Sequence, residues 1–228
     1  EPEPEPEPEP AIDYTAYQEL ISTNRRFKIN VSNKSSSYVL DVYDIANIES
    51  AMNKWDSLIS YPRVYYSSST ITDNHQIGIN FEIVDTLGQN TLGSGWINTL
   101  AFINSYPTAY PIPYGTFITK TGSMELNSST LSLMKTTVLD DGNSNYYYLV
   151  LHEMGHILGI GGTWRSTLFG DSSNYTNIPT TSYSDNGTTQ YYYTGTYAFA
   201  KYKAYYEAIG GSNTLSGIPL EDGGGTGT

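Results

Sequence analysis

A chain of 228 residues without cysteine has to be held together by a buried core, because neither disulfides nor thiolate chemistry is available to it. Its 23 Asp and Glu residues outnumber its 11 Lys and Arg residues, and the formal net charge of -12 disfavours nucleic acid and anionic membranes as partners. No apolar run reaches the roughly 18 residues of a membrane span. Only 15% of the residues are charged, so solubility depends on Ser, Thr, Asn and Tyr, which favours an extracellular location or the surface of a particle or cell.

The first ten residues alternate Glu and Pro. Every proline lacks an amide hydrogen and fixes its φ angle, so residues 1–10 are predicted to be an extended, charged spacer. Two interpretations of this spacer stay open: a stalk that holds the domain away from a larger assembly, and an unstructured tail. Residues 11–228 are predicted to form one folded domain.

The next part of the chain is predicted to contain strands around one amphipathic helix. The helix covers residues 44–59, where apolar residues recur at helical spacing before Pro62. Alternation of apolar and polar residues predicts strands at 27–31, 64–66, 76–84 and 96–102, with a short edge strand at 122–126. Residues 39–43 fit either a strand or the start of the helix. The prolines between residues 104 and 121 predict irregular chain there.

Two more helices are predicted at residues 146–160 and 197–209, each followed by glycines that suit a helix C-terminus. Residues 221–228 are glycine-rich and are predicted to be irregular. Together these elements predict an α+β fold, in which a twisted mixed sheet packs on the helix at 146–160 and a loop-rich C-terminal half follows.

The helix at 146–160 contains the sequence H-E-M-G-H, from His152 to His156. Residues four apart lie on one face of a helix, with Cβ atoms about 6 Å apart, so these two imidazoles can converge on one Zn²⁺ ion. Glu153 is placed to take a proton from a metal-bound water as general base and to return it to the leaving amine. The pattern therefore predicts hydrolysis of a peptide bond.

The alternative interpretation of this pattern is a chance arrangement. The chain has only three histidines, however, and two of them flank a glutamate at ligand spacing. The remaining histidine, His75, follows a polar turn and is predicted to be a surface residue rather than a ligand.

A catalytic zinc needs a third protein ligand. In the longer metzincin signature a glycine and then a third histidine follow the second histidine. Gly159 fits that glycine, but Gly162 occupies the position of the histidine. The third ligand is therefore expected elsewhere, or it is missing.

These residues resemble a known family, the leishmanolysin-like zinc metallopeptidases of the metzincin type. The strongest part of the resemblance is residues 148–164, Y-L-V-L-H-E-M-G-H-I-L-G-I-G-G-T-W. Residues 51–55 (A-M-N-K-W), 122–127 (G-S-M-E-L-N) and 193–228 are also similar to segments of that family. The resemblance implies a metzincin-like fold and a secreted or surface-anchored endopeptidase over residues 11–228, acting on extended polypeptide substrates.

The resemblance also implies where the third zinc ligand should be. In the family a third histidine follows an insertion and precedes a methionine turn, and here both would be expected just beyond Thr228. The domain is therefore expected to be incomplete at its C-terminus, unless Asp171, Glu221 or Asp222 substitutes for the histidine.

A second function is kept beside the zinc endopeptidase: a catalytically incomplete protease-fold module with a structural or adhesive role in a filament, a virion or a cell surface. The 22 tyrosines support it, because tyrosine offers a large contact area with a polar end. Tyrosine-rich surfaces and the Glu-Pro spacer would then be the sites of protein assembly. The expected partner of the enzyme is a polypeptide substrate, with no nucleic acid and no membrane span.

Overall fold

The computed structural model describes residues 18–59, 76–88, 91–103, 116–160, 180–185, 188–211 and 214–219. The chain divides into two compact units, Glu1–Met154 and Gly155–Thr228. Each unit is described by itself.

The first unit contains a five-stranded mixed sheet in the order β1-β2-β3-β5-β4. Its strands are β1 Gln18–Ile21, β2 Phe27–Asn33, β3 Ile77–Val84, β4 Gly93–Ile103 and β5 Thr116–Asn127. The three central strands, β2, β3 and β5, are parallel, and the outer strands β1 and β4 each run antiparallel to their neighbour. Strand β4 is therefore an antiparallel edge of the sheet.

Three helices accompany this sheet: α1 Val42–Leu58, α2 Ser128–Thr136 and α3 Asn145–Ile157. Helix α1 begins with a capping box, in which the Asp41 carboxylate accepts from the Asp44 amide at 3.0 Å and the Asp44 carboxylate accepts from the Asp41 amide at 2.8 Å. Helix α2 follows directly on β5, and Asn127 is its N-cap. The third helix extends three residues past the boundary of the first unit.

One face of the sheet is apolar and buried. Along β2, and from Ile79 to Ile83 in β3, every second side chain is buried and the positions between them are more exposed. The buried face joins apolar residues of α1, α2 and α3 in one core. Its largest fully buried side chains are Phe27, Ile29, Ile48, Met52, Ile79, Phe81, Ile83, Met124, Leu126, Leu131, Tyr146 and Met154. Each such side chain contributes about 1.5–3 kcal/mol by leaving water, so this face decides the fold.

A polar cluster around buried Asp44 joins the start of α1 to the end of α2. The Lys135 ammonium lies 2.9 Å from Asp44 Oδ2 and 3.0 Å from Asp41 Oδ2. The Tyr38 hydroxyl donates to Asp44 Oδ1 at 2.6 Å. Asp44 is fully buried, and this burial raises the pKa of its carboxyl group. The cluster fixes the chain on both sides of the α1 N-terminus.

The second unit contains a small antiparallel sheet and one helix. Strands β6 Thr180–Asp185 and β7 Thr188–Tyr193 form a hairpin, and β8 Ile218–Pro219 pairs with β7. Helix α4 is Thr196–Ala208. No residue of α4 is buried.

The structure confirms the predicted α+β class and the mixed sheet. Four predicted elements correspond to β2, α1, β3 and β4, and the helices predicted at 146–160 and 197–209 correspond to α3 and α4. Residues 39–43 lead into α1 instead of forming a strand. The strand predicted at 64–66 and the spacer at 1–10 lie outside the described residues.

The predictions around β5 were wrong. Residues 116–121, predicted to be irregular, are the first half of this strand, and the predicted edge strand at 122–126 is its second half. Strand β5 lies inside the sheet between β3 and β4. Among the described helices, none is long and apolar enough to cross a membrane.

Candidate functional site

Helix α3 carries the three residues that the sequence identifies as a metal site. Four of its buried apolar side chains, Tyr146, Val150, Met154 and Ile157, follow one another at four-, four- and three-residue steps. This spacing directs one side of the helix to the core. The N-terminus is anchored by Ser144, whose hydroxyl donates to Asn47 Oδ1 of α1 at 2.7 Å and accepts from the Tyr147 amide at 3.1 Å.

The three candidate residues differ in exposure. His152 is exposed, Glu153 is only 5% exposed, and His156 is half-buried. Because His152 and His156 are four residues apart in one helix, helical geometry gives both the same side of α3. A glutamate is seldom buried unless it has a specific partner or role.

The Glu153 region packs directly on the edge strand β4. A Cβ atom added to Gly95 would lie 3.0 Å from the carbonyl carbon of Glu153 and 3.2 Å from its Cα, and would overlap its carbonyl oxygen. A Cβ atom on Gly93 would lie 3.1 Å from Glu153 Oε1 and 2.7 Å from a methyl group of Leu126. Only glycine at both positions permits this close approach of strand and helix.

A second contact fixes α3 next to His152. The indole nitrogen of Trp55 in α1 donates to the backbone carbonyl of Leu151 at 2.9 Å. Trp55 is half-buried. This hydrogen bond and the Ser144–Asn47 bond hold α3 against α1 at two points.

The C-terminus of α3 orients the His156 ring. Gly159 has a φ of 94°, the left-handed conformation that ends helices in a Schellman motif. The Gly159 amide donates to the His156 carbonyl at 3.0 Å, and the Ile160 amide donates to the Gly155 carbonyl at 2.9 Å. The turned chain brings the Ile160 carbonyl to 2.9 Å from His156 Nδ1.

This contact has a chemical consequence for His156. A carbonyl oxygen only accepts, so Nδ1 is the donor in the bond to Ile160. In the neutral ring the lone pair is then on Nε2. Metal-binding histidines commonly donate their second ring nitrogen to a backbone carbonyl in this way. The His156 environment therefore suits a metal ligand that binds through Nε2.

The other residues considered for this site are not described by the structure. Asp171, Glu221 and Asp222, the possible substitutes for a third histidine, lie outside the described residues, as do His75 and Gly162. Within the residues that the structure describes, no group of three His, Cys, Asp or Glu side chains is placed to hold a metal ion. Two histidines of one helix are the donors on which the metal-site prediction depends.

Sequence reasoning missed two features of this site, the glycine pair of β4 and Trp55. Gly93 and Gly95 are two residues apart in a segment of strand pattern, and such spacing places them on one face, where a second backbone can approach. That signal was present in the sequence. The indole contact of Trp55 has no comparable signal, because it joins residues 96 positions apart.

Comparisons of the chain with protein-family models, with curated proteins and with solved structures find no match.

Proposed function

We propose that this protein is a zinc-dependent endopeptidase whose site is built on α3. The observation that carries the proposal is the burial of Glu153 between two histidines of the same helix, under the glycine pair of β4. A carboxylate in that position is held rigidly by the backbone of two elements, which is what a general base requires.

The two histidine donors on α3 are of the kind that zinc prefers. His152 and His156 would hold the ion, and the Nδ1–Ile160 bond of His156 is the outer contact expected of such a ligand. When bound, zinc supplies Lewis-acid activation of water and of the peptide carbonyl. A third protein ligand would come from the residues outside the described ranges.

Glu153 would move the protons of the reaction. Its carboxylate would accept a proton from the attacking water and then donate it to the amine that leaves the cleaved bond. The packing against Gly93 and Gly95 would exclude bulk water on one side of the carboxylate and keep its orientation. The nearby Trp55 contact would keep the helix from rotating.

The edge strand β4 supports the choice of an extended polypeptide as substrate. It ends the described sheet, so its outer edge offers backbone groups to which an extended chain can add as a further strand. The register shifts between Ile97 and Thr99 and between Thr99 and Leu100 bend this edge. From Gly93 to Ile97, the part of β4 that contains both glycines, the pairing with β5 has no register shift.

The metzincin-like fold and the likeness to leishmanolysin-like peptidases belong to this proposal. The antiparallel edge strand, the parallel strands beside it and the following helix with H-E-M-G-H support them. An extracellular or surface location is part of the same proposal and rests on the composition.

A structural or adhesive module is the second candidate function. One observation favours it: α4 has no buried residue, and Tyr197 is 90% exposed. A protein whose tyrosines serve assembly would leave such rings accessible.

Cleavage of an unfolded protein by the zinc-loaded chain tests the proposal. We expect peptide products from the wild type, none after addition of a chelator, and a loss of kcat of at least about 100-fold in Glu153→Gln with zinc still bound. Glu82→Gln is the matched control, since this residue pairs with Lys34 at the surface. Equal cleavage by Glu153→Gln and Glu82→Gln would show that Glu153 is not the base.

A further inference from the structure

Helix α4 presents side chains that its own unit does not cover. Tyr197 is 90% exposed, Tyr205 is 65% exposed and Ile209, the C-cap residue, is 63% exposed. Large apolar side chains at such exposure are unusual when they occur together on one element. They form a candidate interaction surface.

The exposed residues follow a helical stripe. Tyr197, Lys201, Tyr205 and Ile209 are spaced by four residues, so each lies about 6 Å along the helix from the one before it. We call these four residues the α4 stripe. Lys201, which is itself exposed, lies between the two tyrosines.

The stripe is not the side of α4 that packs. The half-buried side contains Phe199, Tyr202, Lys203 and Tyr206, and the rings of Tyr202 and Tyr206 stack with their centroids 6.1 Å apart and their planes at 15°. Packing of the second unit therefore accounts for these residues and leaves the exposure of the stripe unexplained.

The local charge of α4 is opposite to that of the whole chain. The chain carries 23 acidic and 11 basic residues, whereas α4 carries two lysines and one glutamate. Glu207 lies 3.9 Å from Lys203, which is not part of the stripe. The charge that the stripe itself presents is the cation of Lys201, with an exposed ring on either side.

A tyrosine–lysine–tyrosine stripe matches a segment rich in proline and carboxylate. Proline rings dock on aromatic side chains, and a polyproline II segment loses little conformational entropy on binding because its backbone is already restricted. Carboxylates between the prolines would pair with the lysine. Residues 1–10 of this same chain have that chemistry, since five Glu alternate with five Pro.

We propose that the α4 stripe binds the alternating Glu-Pro run, residues 1–10, of a second copy of this chain. The alternating sequence places glutamates between prolines along an extended segment. Proline rings would pack on the tyrosines of the stripe, and a neighbouring glutamate would pair with Lys201. The proposal concerns self-association and does not depend on zinc or on hydrolysis.

Sedimentation velocity of the full chain over a range of concentrations tests this. We expect concentration-dependent association of the wild type that weakens at high salt, since the pairing is partly electrostatic and exposed. Tyr197→Ser with Tyr205→Ser should weaken it at least about ten-fold. Replacement of all five glutamates of residues 1–10 by glutamine should weaken it as well. Leu133→Ser with Val138→Ser is the control, because both residues are exposed apolar residues of the first unit.

Three outcomes overturn the proposal. One is a control variant that loses association as strongly as the tyrosine variant, since this would indicate unspecific adhesion. Another is association that does not respond to the glutamine replacements. The third is a monomeric wild type at all concentrations. In that case a synthetic ten-residue Glu-Pro peptide distinguishes a further possibility. If the peptide binds the glutamine variant but not the wild type, residues 1–10 of the wild type already occupy the stripe of their own chain.

Discussion

The contact between β4 and α3 predicts a specific effect of Gly95→Ala. The added methyl group would lie 3.0 Å from the carbonyl carbon of Glu153 and 3.2 Å from its Cα. Carbon atoms pack best at about 3.5–4.0 Å, so strand or helix has to move by about 0.5–1 Å. The obstacle is backbone of α3, which cannot rotate away as a flexible side chain can. The displacement therefore acts directly on the residue proposed as general base.

The expected cost has two parts. Overpacking of this kind typically destabilises a protein by about 1–3 kcal/mol, and we expect Gly95→Ala to lower the free energy of unfolding within that range. A displacement of about 1 Å at a catalytic group can reduce the rate about 100-fold. Because a loss of about 1–3 kcal/mol leaves most molecules of a typical domain folded, unfolding should not account for the loss of activity.

Gly78→Ala in β3 is the matched control, because its Cβ atom would meet only a Thr121 methyl group at an ordinary 3.6 Å. Urea titration gives the free energy of unfolding of both variants, and cleavage of an unfolded protein at a temperature where both stay folded gives kcat/KM. The reasoning is refuted if Gly95→Ala keeps a kcat/KM within two-fold of Gly78→Ala, or if the two variants are equally stable.

Three further predictions concern the supports of the sheet and helices. Asn127 caps α2 and also donates through Nδ2 to the carbonyl of Thr91 at 2.9 Å, so Asn127→Ala should lower the free energy of unfolding by about 2 kcal/mol. Asn127→Asp should keep the helix cap but lose the bond to Thr91, so urea titrations of the two variants separate the two contributions. Hydrogen bonds from serine hydroxyls lower the pKa of Asp85 below its usual 3.8, so the ionised carboxylate stabilises the folded protein fully above that pH and loses this effect on acidification. The difference in Tm between wild type and Asp85→Asn should therefore shrink below pH 3.8, and a constant difference would contradict this. Lys135→Met leaves buried Asp44 without its cation and should lower the free energy of unfolding by about 3 kcal/mol at pH 7. The loss should be smaller at low pH, because burial raises the pKa of Asp44 and the carboxyl group becomes neutral there. A loss under about 1 kcal/mol at pH 7 would show that the ion pair contributes little.

The elements that the sequence predicted well are those with strong periodicity. Helix α1 was predicted because its apolar residues recur at helical spacing, and β3 because its residues alternate. Both elements present one face to the core, so the spacing of their apolar residues in the sequence directly predicts which side chains are buried. The H-E-M-G-H pattern drew attention for a related reason, since its two histidines are one helical turn apart, and the metal site that it predicts stays a prediction.

Position within the sheet could not be predicted in the same way. Strand β5 has polar residues between its buried Met124 and Leu126, a pattern typical of an edge or half-exposed strand. It is nevertheless central, since its backbone pairs with β3 on one side and with β4 on the other. Alternation reports which face is buried and carries no information on the order of strands.

Helix α2 was missed because its pattern is weak. Of its nine residues only Ser128 and Leu131 are buried. Its position is fixed instead by the local Asn127 cap and by the ion pairs of Lys135 with Asp41 and Asp44, and these ion pairs join residues far apart in sequence. Local propensity does not reveal contacts of that kind.

The zinc content of the purified protein is the most direct test of the central claim. After equilibration with zinc and removal of free metal, we predict about one ion per wild-type chain, none in His152→Ala or His156→Ala, and an unchanged content in Glu153→Gln. A wild-type chain that retains no zinc, or histidine variants that retain as much as the wild type, would contradict the assignment of His152 and His156 as metal ligands.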